Sequence, residues 1–558
     1  MVPEALYEPL FARLRAAEKT ENVVPVIEAA GIIGRHVDRG LLVAVCTLRE
    51  DDIDDVIDEL EDALVLEPSG TGSWRFRHEL LREVAAELAP PSVRRGLHAR
   101  VADALVNGAG GDPDWPLVAD HYQQAEQFHE AASAYRQASV TARRRGALAE
   151  ARTYLSLALS GLDRCAAGPE RDRREIAMRL ERGLLAAAAE FYTSPAVAAD
   201  FERCLQLAGT DLRDDEVVAT LIALVSYCAT RADLPRMGQV LESLRADLDK
   251  GRQWFVPAIE ASFGVLAWLR GEFGAAAGYF KEATAGRAGA EEHPIEKVWY
   301  LPNEPVAAAH LHLALIRLLR GDLAAAEAEL LPAARRAEEL SFPQGAFMTG
   351  FARFMETWLR IEAGQLDRAA ALAADLIDHA ERHGFDQWRL AGMTHQGAVG
   401  ALMALTAGDP DPITLEPHIA TMTTLLNTWR AVGLDIYLTF YDGILGRLLT
   451  AAGKPDQARQ HLDTTLQLTK NNGMRFYDAE LLRVRAHTHR EPQARRADLR
   501  AALKLARRQG ATLFVLRAAL DDVELRGRPA RSALIDAASR FPAGTTLPEL
   551  ARARAVLR

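Results

Sequence analysis

Cysteine is scarce in this chain of 558 residues, which contains only four. The thiols stand far apart in the sequence and form no C-x-x-C pair; they belong to Cys46, Cys165, Cys204 and Cys228. Disulfide frameworks and zinc ribbons both need cysteines at short, paired spacings. We therefore expect neither kind of site, and we expect the thiols to pack as small apolar side chains.

Long apolar runs are also missing from the sequence. The longest, Leu41 to Cys46 and Leu184 to Ala189, extend over about six residues, whereas a membrane-spanning helix needs about 18. No secretory signal sequence is recognised either. These two absences predict a cytoplasmic protein that has no membrane partner.

Basic residues are outnumbered, since 66 Lys and Arg stand against 77 Asp and Glu and give a net charge of -11. An acidic balance repels phosphodiester backbones, so we expect no nucleic-acid partner. Apolar residues make up 49% of the chain, which is enough to form a large core in a protein of more than one domain.

A short repeated signature is the main feature that the sequence does contain. It consists of Gly, a polar residue, Leu or Phe, two further residues and Ala, with a large apolar side chain four positions later. Clear copies begin at Gly271, Gly321 and Gly453, and degenerate copies begin at Glu126, Gly146, Ala232, Gly364 and Gly408. From Gly271 onward the starts step by 50, 43, 44 and 45 residues.

This signature is typical of a helical hairpin. Gly ends one helix in a left-handed turn, an acidic residue starts the next, and Ala lets antiparallel helices approach closely. Hairpins with one apolar face must stack on their neighbours, which gives a solenoid with a concave surface. The pattern resembles tetratricopeptide repeats lengthened beyond about 34 residues. We therefore predict an all-α fold, with an α-solenoid of such hairpins over residues 116–558.

The long step between Gly271 and Gly321 implies an insertion, which the proline-rich segment Gly289 to Pro305 supplies. This segment contains the pair Trp299 and Tyr300. Aromatic side chains on a proline-stiffened loop can anchor a partner, so both residues are candidate partner-binding residues. The alternative is that they cover the hydrophobic edge of the solenoid.

Residues 1–107 predict a separate winged-helix-like module. Short apolar helices are expected over Val23 to Ala30 and Leu41 to Leu48, and an amphipathic third helix over Asp51 to Leu64. Turn residues then separate two predicted strands, Ala63 to Leu66 and Ser73 to His78, which would form one β-hairpin. Two more helices are expected to follow.

The third predicted helix bears on DNA binding, because a winged helix that reads DNA inserts this helix into the groove. Asp and Glu fill its polar face without a single Lys or Arg. Such a surface would meet phosphate groups with like charge, so we expect no DNA binding by this module.

The segment Val24 to Val106 resembles the winged-helix segment that follows the nucleotide-binding core of STAND ATPases. The resemblance lies in Ala29-Ala-Gly-Ile-Ile-Gly-Arg35, Asp58-Glu-Leu-Glu-Asp-Ala63, Leu66-Glu-Pro68 and Arg75-Phe-Arg-His-Glu-Leu-Leu-Arg-Glu83. More narrowly, the chain is similar to actinobacterial regulators that join an AAA-like ATPase and tetratricopeptide repeats to an adenylate or guanylate cyclase or to a LuxR-type DNA-binding domain. The resemblance implies a sensor coupled to an ATPase or cyclase.

The catalytic parts of that family are not found in this sequence. No G-x-x-x-x-G-K-[ST] sequence, cyclase domain or nucleophile elbow is present, so we expect no enzymatic activity, no cofactor and no catalytic residue. In related STAND proteins a winged-helix histidine approaches bound nucleotide, and His78 is the matching residue. The resemblance thus implies that His78 contacts a nucleotide held by another chain, and a purely structural role at a helix start is the alternative.

Two histidines have a spacing that metal ligands can use, since His379 and His383 lie four residues apart near Asp375 and Asp378. The sequence fixes no third ligand. A solvated helix face explains the pattern, and we expect no metal site.

We predict a non-catalytic sensory and protein-interaction unit of a bacterial signalling regulator. It would bind a protein or small-molecule inducer on the solenoid and act on an ATPase or cyclase chain in trans. One alternative is half of a split nucleotide-hydrolysing or cyclase enzyme, and another is a LuxR-associated transcriptional regulator without its DNA-binding domain. The sequence leaves the oligomeric state open.

Overall fold

Helices dominate the computed structural model, which describes residues 22–108, 111–208, 215–247, 254–285, 303–407 and 411–558. The chain divides into two compact units between Met178 and Arg179. No helix in the described ranges is both long and apolar enough to cross a bilayer. Of the four thiols, those of Cys204 and Cys228 are buried, whereas Cys46 and Cys165 are partly accessible.

The first unit begins with a small mixed module. Its elements are α1 (Val23–Ile33), β1 (His36–Asp38), α2 (Arg39–Val45), α3 (Glu50–Asp62), β2 (Leu66–Gly70), β3 (Ser73–Phe76), α4 (Glu79–Leu88) and α5 (Pro91–Gly108). The three strands form an antiparallel sheet in the order β1-β3-β2. The five predicted helices are therefore present, with ends shifted by a few residues.

The predicted β-hairpin is present as β2 and β3, and β1 adds a third strand that the sequence did not predict. His36 pairs with Arg75 and Asp38 with Ser73, so β3 is the central strand of three. Three residues are too few to show the alternation from which a strand is recognised. Asp38 then starts α2, because its side chain accepts a hydrogen bond from the Leu41 N–H.

Close packing of α1 on α4 holds the module together. Val23, Val26 and Ile27 of α1 are buried in its apolar core. A Cβ added to Gly31 would lie 2.7 Å from the backbone nitrogen of Ala86, so only glycine fits at this crossing.

Antiparallel helices make up the rest of the first unit. They are α6 (Trp115–Gln124), α7 (Phe128–Arg144), α8 (Leu148–Leu162) and α9 (Pro169–Ala189), the last of which contains the division between the units.

The second unit consists of helices. They are α10 (Pro195–Ala208), α11 (Asp215–Thr230), α12 (Leu234–Asp247), α13 (Val256–Leu269), α14 (Phe273–Thr284), α15 (Pro305–Leu319), α16 (Leu323–Glu339), α17 (Gln344–Glu362), α18 (Leu366–His383), α19 (Asp386–Thr406), α20 (Pro412–Ala431), α21 (Leu438–Ala451), α22 (Pro455–Asn472), α23 (Asp478–Ala486), α24 (Pro492–Gln509), α25 (Thr512–Arg526), α26 (Arg531–Ser539) and α27 (Pro548–Leu557). The predicted all-α solenoid fold with a small N-terminal module is confirmed.

The left-handed turns expected from the signature are present. Positive φ angles of 75, 96, 72 and 73° occur at Gly271, Gly321, Gly364 and Gly453. Two degenerate copies without glycine, at Glu126 and Ala232, adopt the same conformation with φ of 60 and 54°. The turn therefore persists even where the side chain disfavours it. Gly408 lies outside the described residues.

The second unit closes on itself, so its expected concave surface is largely an interior. The carbonyl of Thr230 accepts hydrogen bonds from the N–H groups of Asp435 and Ile436, at 3.0 and 3.1 Å. In the same way, the Leu269 carbonyl accepts from Arg475 and Phe476, at 2.7 and 3.1 Å. Turns late in the unit thus attach to the ends of helices early in it.

Candidate functional site

Aromatic side chains from four hairpins meet inside the second unit. The indole of Trp268 stacks on Phe476 with ring centroids 4.3 Å apart, and it meets Trp358 and Tyr437 edge-on at 5.6 and 5.7 Å. Offset and edge-on pairs of this kind are favourable beyond their burial. Of these residues, Tyr437 also lines the space beside the cluster.

That space, which we call cavity 1, has a volume of about 120 Å³. Its walls are mainly apolar and come from α11, α13, α15, α17, α19 and the turn before α21; they include Ile222, Val225, Ala229, Ala261, Val265, Phe351, Phe354 and Leu434. An engineered apolar cavity of about 150 Å³ admits benzene. Cavity 1 is therefore of the size that suits a compact ligand with a single ring.

Three polar atoms of cavity-lining residues have no hydrogen-bond partner among the described residues. They are the Tyr192 hydroxyl, the Trp388 Nε1–H and the Asn303 Oδ1. Each unpaired buried polar group costs about 1–3 kcal/mol, so folded proteins rarely keep several together. A ligand that offers both a donor and an acceptor would satisfy them.

Tyr437 fixes one side of the cavity through an unusual backbone. Its φ is 68°, in the left-handed region that a bulky residue seldom adopts. Its hydroxyl lies 3.3 Å from Nε2 of His312, while Nδ1 of His312 lies 2.8 Å from the Ala308 carbonyl. Because that carbonyl can only accept, Nδ1 carries the proton and Nε2 accepts from Tyr437. Burial lowers the pKa of His312 to about 4, so the ring is neutral at pH 7.

A second space, cavity 2, has a volume of about 330 Å³ and very different walls. Arg517 pairs with Glu362 at 2.5 Å and with Glu549 at 2.7 Å. Arg483 pairs with Glu480 at 3.0 Å and with Asp521 at 2.8 Å. Since buried ions need partners, these pairs keep the charged wall in place.

Of the candidate residues predicted from the sequence, His78 lies outside both cavities, and Trp299 and Tyr300 are not among the described residues. His78 is exposed at the start of α4, where its side chain makes no capping hydrogen bond. Trp299 and Tyr300 lie outside the described residues, so their predicted role stays a prediction. Neither cavity was predicted from the sequence, because the walls of each come from helices that lie far apart in the chain.

The two histidines with metal-like spacing are engaged by protein groups. Nε2 of His379 lies 2.7 Å from the Ala346 carbonyl, and its ring meets that of His383 edge-on at 4.7 Å. Within the described ranges, no group of three His, Cys, Asp or Glu side chains is arranged to hold a metal ion.

Known protein families and curated proteins give no match to this chain. Among solved structures, a Signal Transduction ATPase with Numerous Domains (STAND) protein with a tetratricopeptide repeat sensor, from Pyrococcus horikoshii, aligns over 96% of this chain at 12% identity and a TM-score of 0.29. The alignment covers 64% of that protein's length.

Two further solved structures are similar at the same level of identity. A tetratricopeptide repeat domain aligns over 73% of this chain and 98% of its own, at 12% identity and a TM-score of 0.21. The Naa15/Naa10 assembly bound to HypK-THB aligns over 96% of this chain and 88% of its own, at 12% identity and a TM-score of 0.20. At these identities and TM-scores the likeness carries no information on function.

Proposed function

We propose that this chain is a non-catalytic sensory and protein-interaction unit of a bacterial signalling regulator, and that its second unit binds a small inducer in cavity 1. The observation that carries the proposal is an apolar cavity lined by residues with three unpartnered polar atoms, inside a helical-repeat unit. Ligand sites are typically of this kind, mostly apolar with a few polar groups that orient the ligand.

The inducer would act by stabilising the closed form of the second unit. Cavity 1 is lined by residues that lie far apart in sequence, from Tyr192 to Tyr437. A ligand in contact with all of them favours the state in which they are together, by an amount set by its affinity. The proposed signal is therefore an increase in the population of the closed state of this unit when the inducer binds.

Coupling to an ATPase or cyclase chain is the second part of the proposal. The module's order of three helices with a strand after the first, then a β-hairpin, supports the proposal that it is a winged helix. The resemblance to STAND regulators supports a partner that carries the nucleotide-binding core, and the exposure of His78 leaves its ring free to meet a nucleotide in trans.

Filling cavity 1 tests the inducer site. Ala261→Leu places a larger side chain in the wall, and Ala275→Leu makes the same change at an exposed position of α14 as the control. We would measure binding of phenol, indole and cyclohexanol by ligand-observed NMR. Binding to the parent and to A275L, with loss in A261L, supports the site, whereas binding by none or equal binding by all three proteins rejects it.

Activity assays test the proposed non-catalytic role, and crosslinking tests the proposed coupling to an ATPase or cyclase chain. The purified chain is expected to show no ATP turnover and no cyclic-nucleotide synthesis, and either activity would contradict a non-catalytic role. Crosslinking in the source bacterium followed by mass spectrometry should recover a polypeptide with a P-loop or a cyclase domain. Consistent recovery of only unrelated proteins would reject the proposed coupling.

A further inference from the structure

Arg447 stands apart from the other cations that line cavity 2. Its guanidinium forms no hydrogen bond or ion pair with any residue that the structure describes, and it retains accessible surface in the cavity wall. By contrast, Arg483 is held by two carboxylates, Arg517 by three, and Arg552 pairs with Glu524. Only the Arg447 guanidinium is therefore available to a ligand in this wall.

The surroundings of Arg447 favour an incoming anion. Loss of surrounding water lowers the pKa of Arg447, and the neighbouring cations of Arg483 and Arg517 lower it further, whereas Glu480 acts in the opposite direction. The side chain is accessible from the cavity and forms no ion pair with the described residues, so an anion that enters the cavity would meet an unpaired cation. Carboxylates fit the planar guanidinium with two parallel hydrogen bonds, which makes them its best partners.

The charges of the wall favour a ligand with one negative charge over a ligand with two. Four arginines face four acids in the lining, namely Arg447, Arg483, Arg517 and Arg552 with Glu362, Glu480, Asp521 and Glu549. The wall therefore has no net formal charge, and its four acids would repel a ligand with two negative charges more strongly than a ligand with one.

One carboxylate oxygen in the same wall has no hydrogen-bond donor among the described residues. Oε2 of Glu549 is buried and has no hydrogen-bond partner among the described residues, although its carboxylate pairs with Arg517 at 2.7 Å. A hydroxyl or ammonium group on the ligand can donate to such an acceptor. A simple anion such as acetate cannot.

We propose that cavity 2 is a binding site for a small monocarboxylate that also carries a hydrogen-bond donor, a hydroxy acid or an amino acid, with its carboxylate on Arg447. Hydroxy acids and amino acids both carry a carboxylate beside a hydrogen-bond donor. The cavity volume of about 330 Å³ leaves room for a short ligand side chain. This site would bind its ligand whether or not cavity 1 binds an inducer.

Binding measurements on the full chain test this site. Lactate and glycine would be compared with acetate and inorganic phosphate by isothermal titration calorimetry. We expect lactate or glycine to bind the parent protein at least about tenfold more tightly than acetate or phosphate. Absence of binding by both lactate and glycine overturns the proposal, and so does a preference for phosphate.

Variants of Arg447 locate the site. Arg447→Met should weaken binding of the preferred ligand at least about tenfold, and Arg447→Lys, which keeps the charge but loses the paired hydrogen bonds, should fall between. Arg368→Met removes the same charge from an exposed residue outside the lining and is the matched control. Unchanged binding in R447M, or an equal loss in R368M, overturns the assignment, and R447K decides the matter if R447M does not fold.

Discussion

Nε2 of His312 accepts a hydrogen bond from the hydroxyl of Tyr437, 125 residues further along the chain, at 3.3 Å. Both residues line cavity 1 and both side chains are buried. The bond ties α15 to the turn before α21 and holds the left-handed Tyr437 in place. It is thus one of the contacts through which the closed form of the second unit is specified.

Removing that hydroxyl is expected to destabilise the protein. Tyr437→Phe leaves the Nε2 acceptor of His312 buried and unpaired, which should lower the free energy of unfolding by about 1–3 kcal/mol. Urea-induced unfolding measures this change. Tyr227→Phe, at a half-buried tyrosine of α11, is the control and should alter stability by less than about 0.5 kcal/mol. Equal effects of the two variants would contradict the role of the bond.

Stability is expected to fall in mildly acidic solution because buried histidines resist protonation. Burial lowers the pKa of His312 to about 4 and that of His395 to about 3. Unfolded histidine has a pKa of about 6.5, so below that pH the unfolded state binds protons that the folded state excludes. Each ring then lowers the free energy of unfolding by up to about 1.4 kcal/mol per pH unit between about pH 6.5 and 4. Stability above about pH 6.5 should not depend on these groups.

Replacing one of these histidines tests whether acidification lowers the free energy of unfolding and whether the buried rings are the cause. Urea unfolding of the parent and of His395→Gln would be compared at about pH 7 and about pH 5. The variant is expected to lose less stability on acidification than the parent. A parent protein that gained stability at the lower pH, or a variant with the same slope, would refute the prediction.

Two arginines of cavity 2 should respond oppositely to the same substitution. Arg517→Met leaves Glu362 and Glu549 without their cation and is expected to cost about 3–5 kcal/mol, as for other broken buried pairs. Arg447→Met removes a charge that has no protein partner and should leave stability unchanged or raised. Thermal and urea unfolding of both variants measure the contrast. A large loss in R447M would show that Arg447 has a structural role.

Glycine at position 264 is expected to be essential for packing of α13 against α14. A Cβ there would lie 2.5 Å from the ring of the buried Phe280. Gly264→Ala should therefore destabilise the protein by about 1–3 kcal/mol. Gly278→Ala, on an exposed face of α14 where an added Cβ meets nothing within 4 Å, should stabilise it by about 0.5–1 kcal/mol. Unfolding midpoints of the two variants should move in opposite directions.

The local structure of the repeats could be predicted well from the sequence. Each signature encodes a helix end, a left-handed residue and a helix start within a few positions, and these interactions are local. The prediction extends to Glu126 and Ala232, which take the left-handed conformation without glycine because the flanking helices require it. The additional strand β1 was not predicted, because three residues are too few to show the alternation of apolar and polar residues that is typical of a strand.

The cavities could not be predicted because they depend on contacts between distant parts of the chain. Nothing near Thr230 indicates that its carbonyl will meet Asp435, and nothing near Glu362 indicates Arg517, 155 residues away. A hydrophobic period identifies which face of a helix is buried, but it does not identify which later helix covers that face. Sequence reasoning could therefore point to locally recognisable residues such as Trp299 and Tyr300, whose role stays a prediction, but not to an internal cavity.

The attachment of Arg475 and Phe476 to the Leu269 carbonyl has a consequence for how this protein can evolve. In an open repeat array each repeat contacts only its neighbours, so repeats can be gained or lost by duplication and deletion. Here, removal of one hairpin between Leu269 and Arg475 would shift the position of every later turn. The N–H groups of Arg475 and Phe476 would then no longer reach the Leu269 carbonyl. The number of hairpins in this stretch is thus fixed by geometry, and lineages that carry this architecture should vary in loop length and not in repeat count.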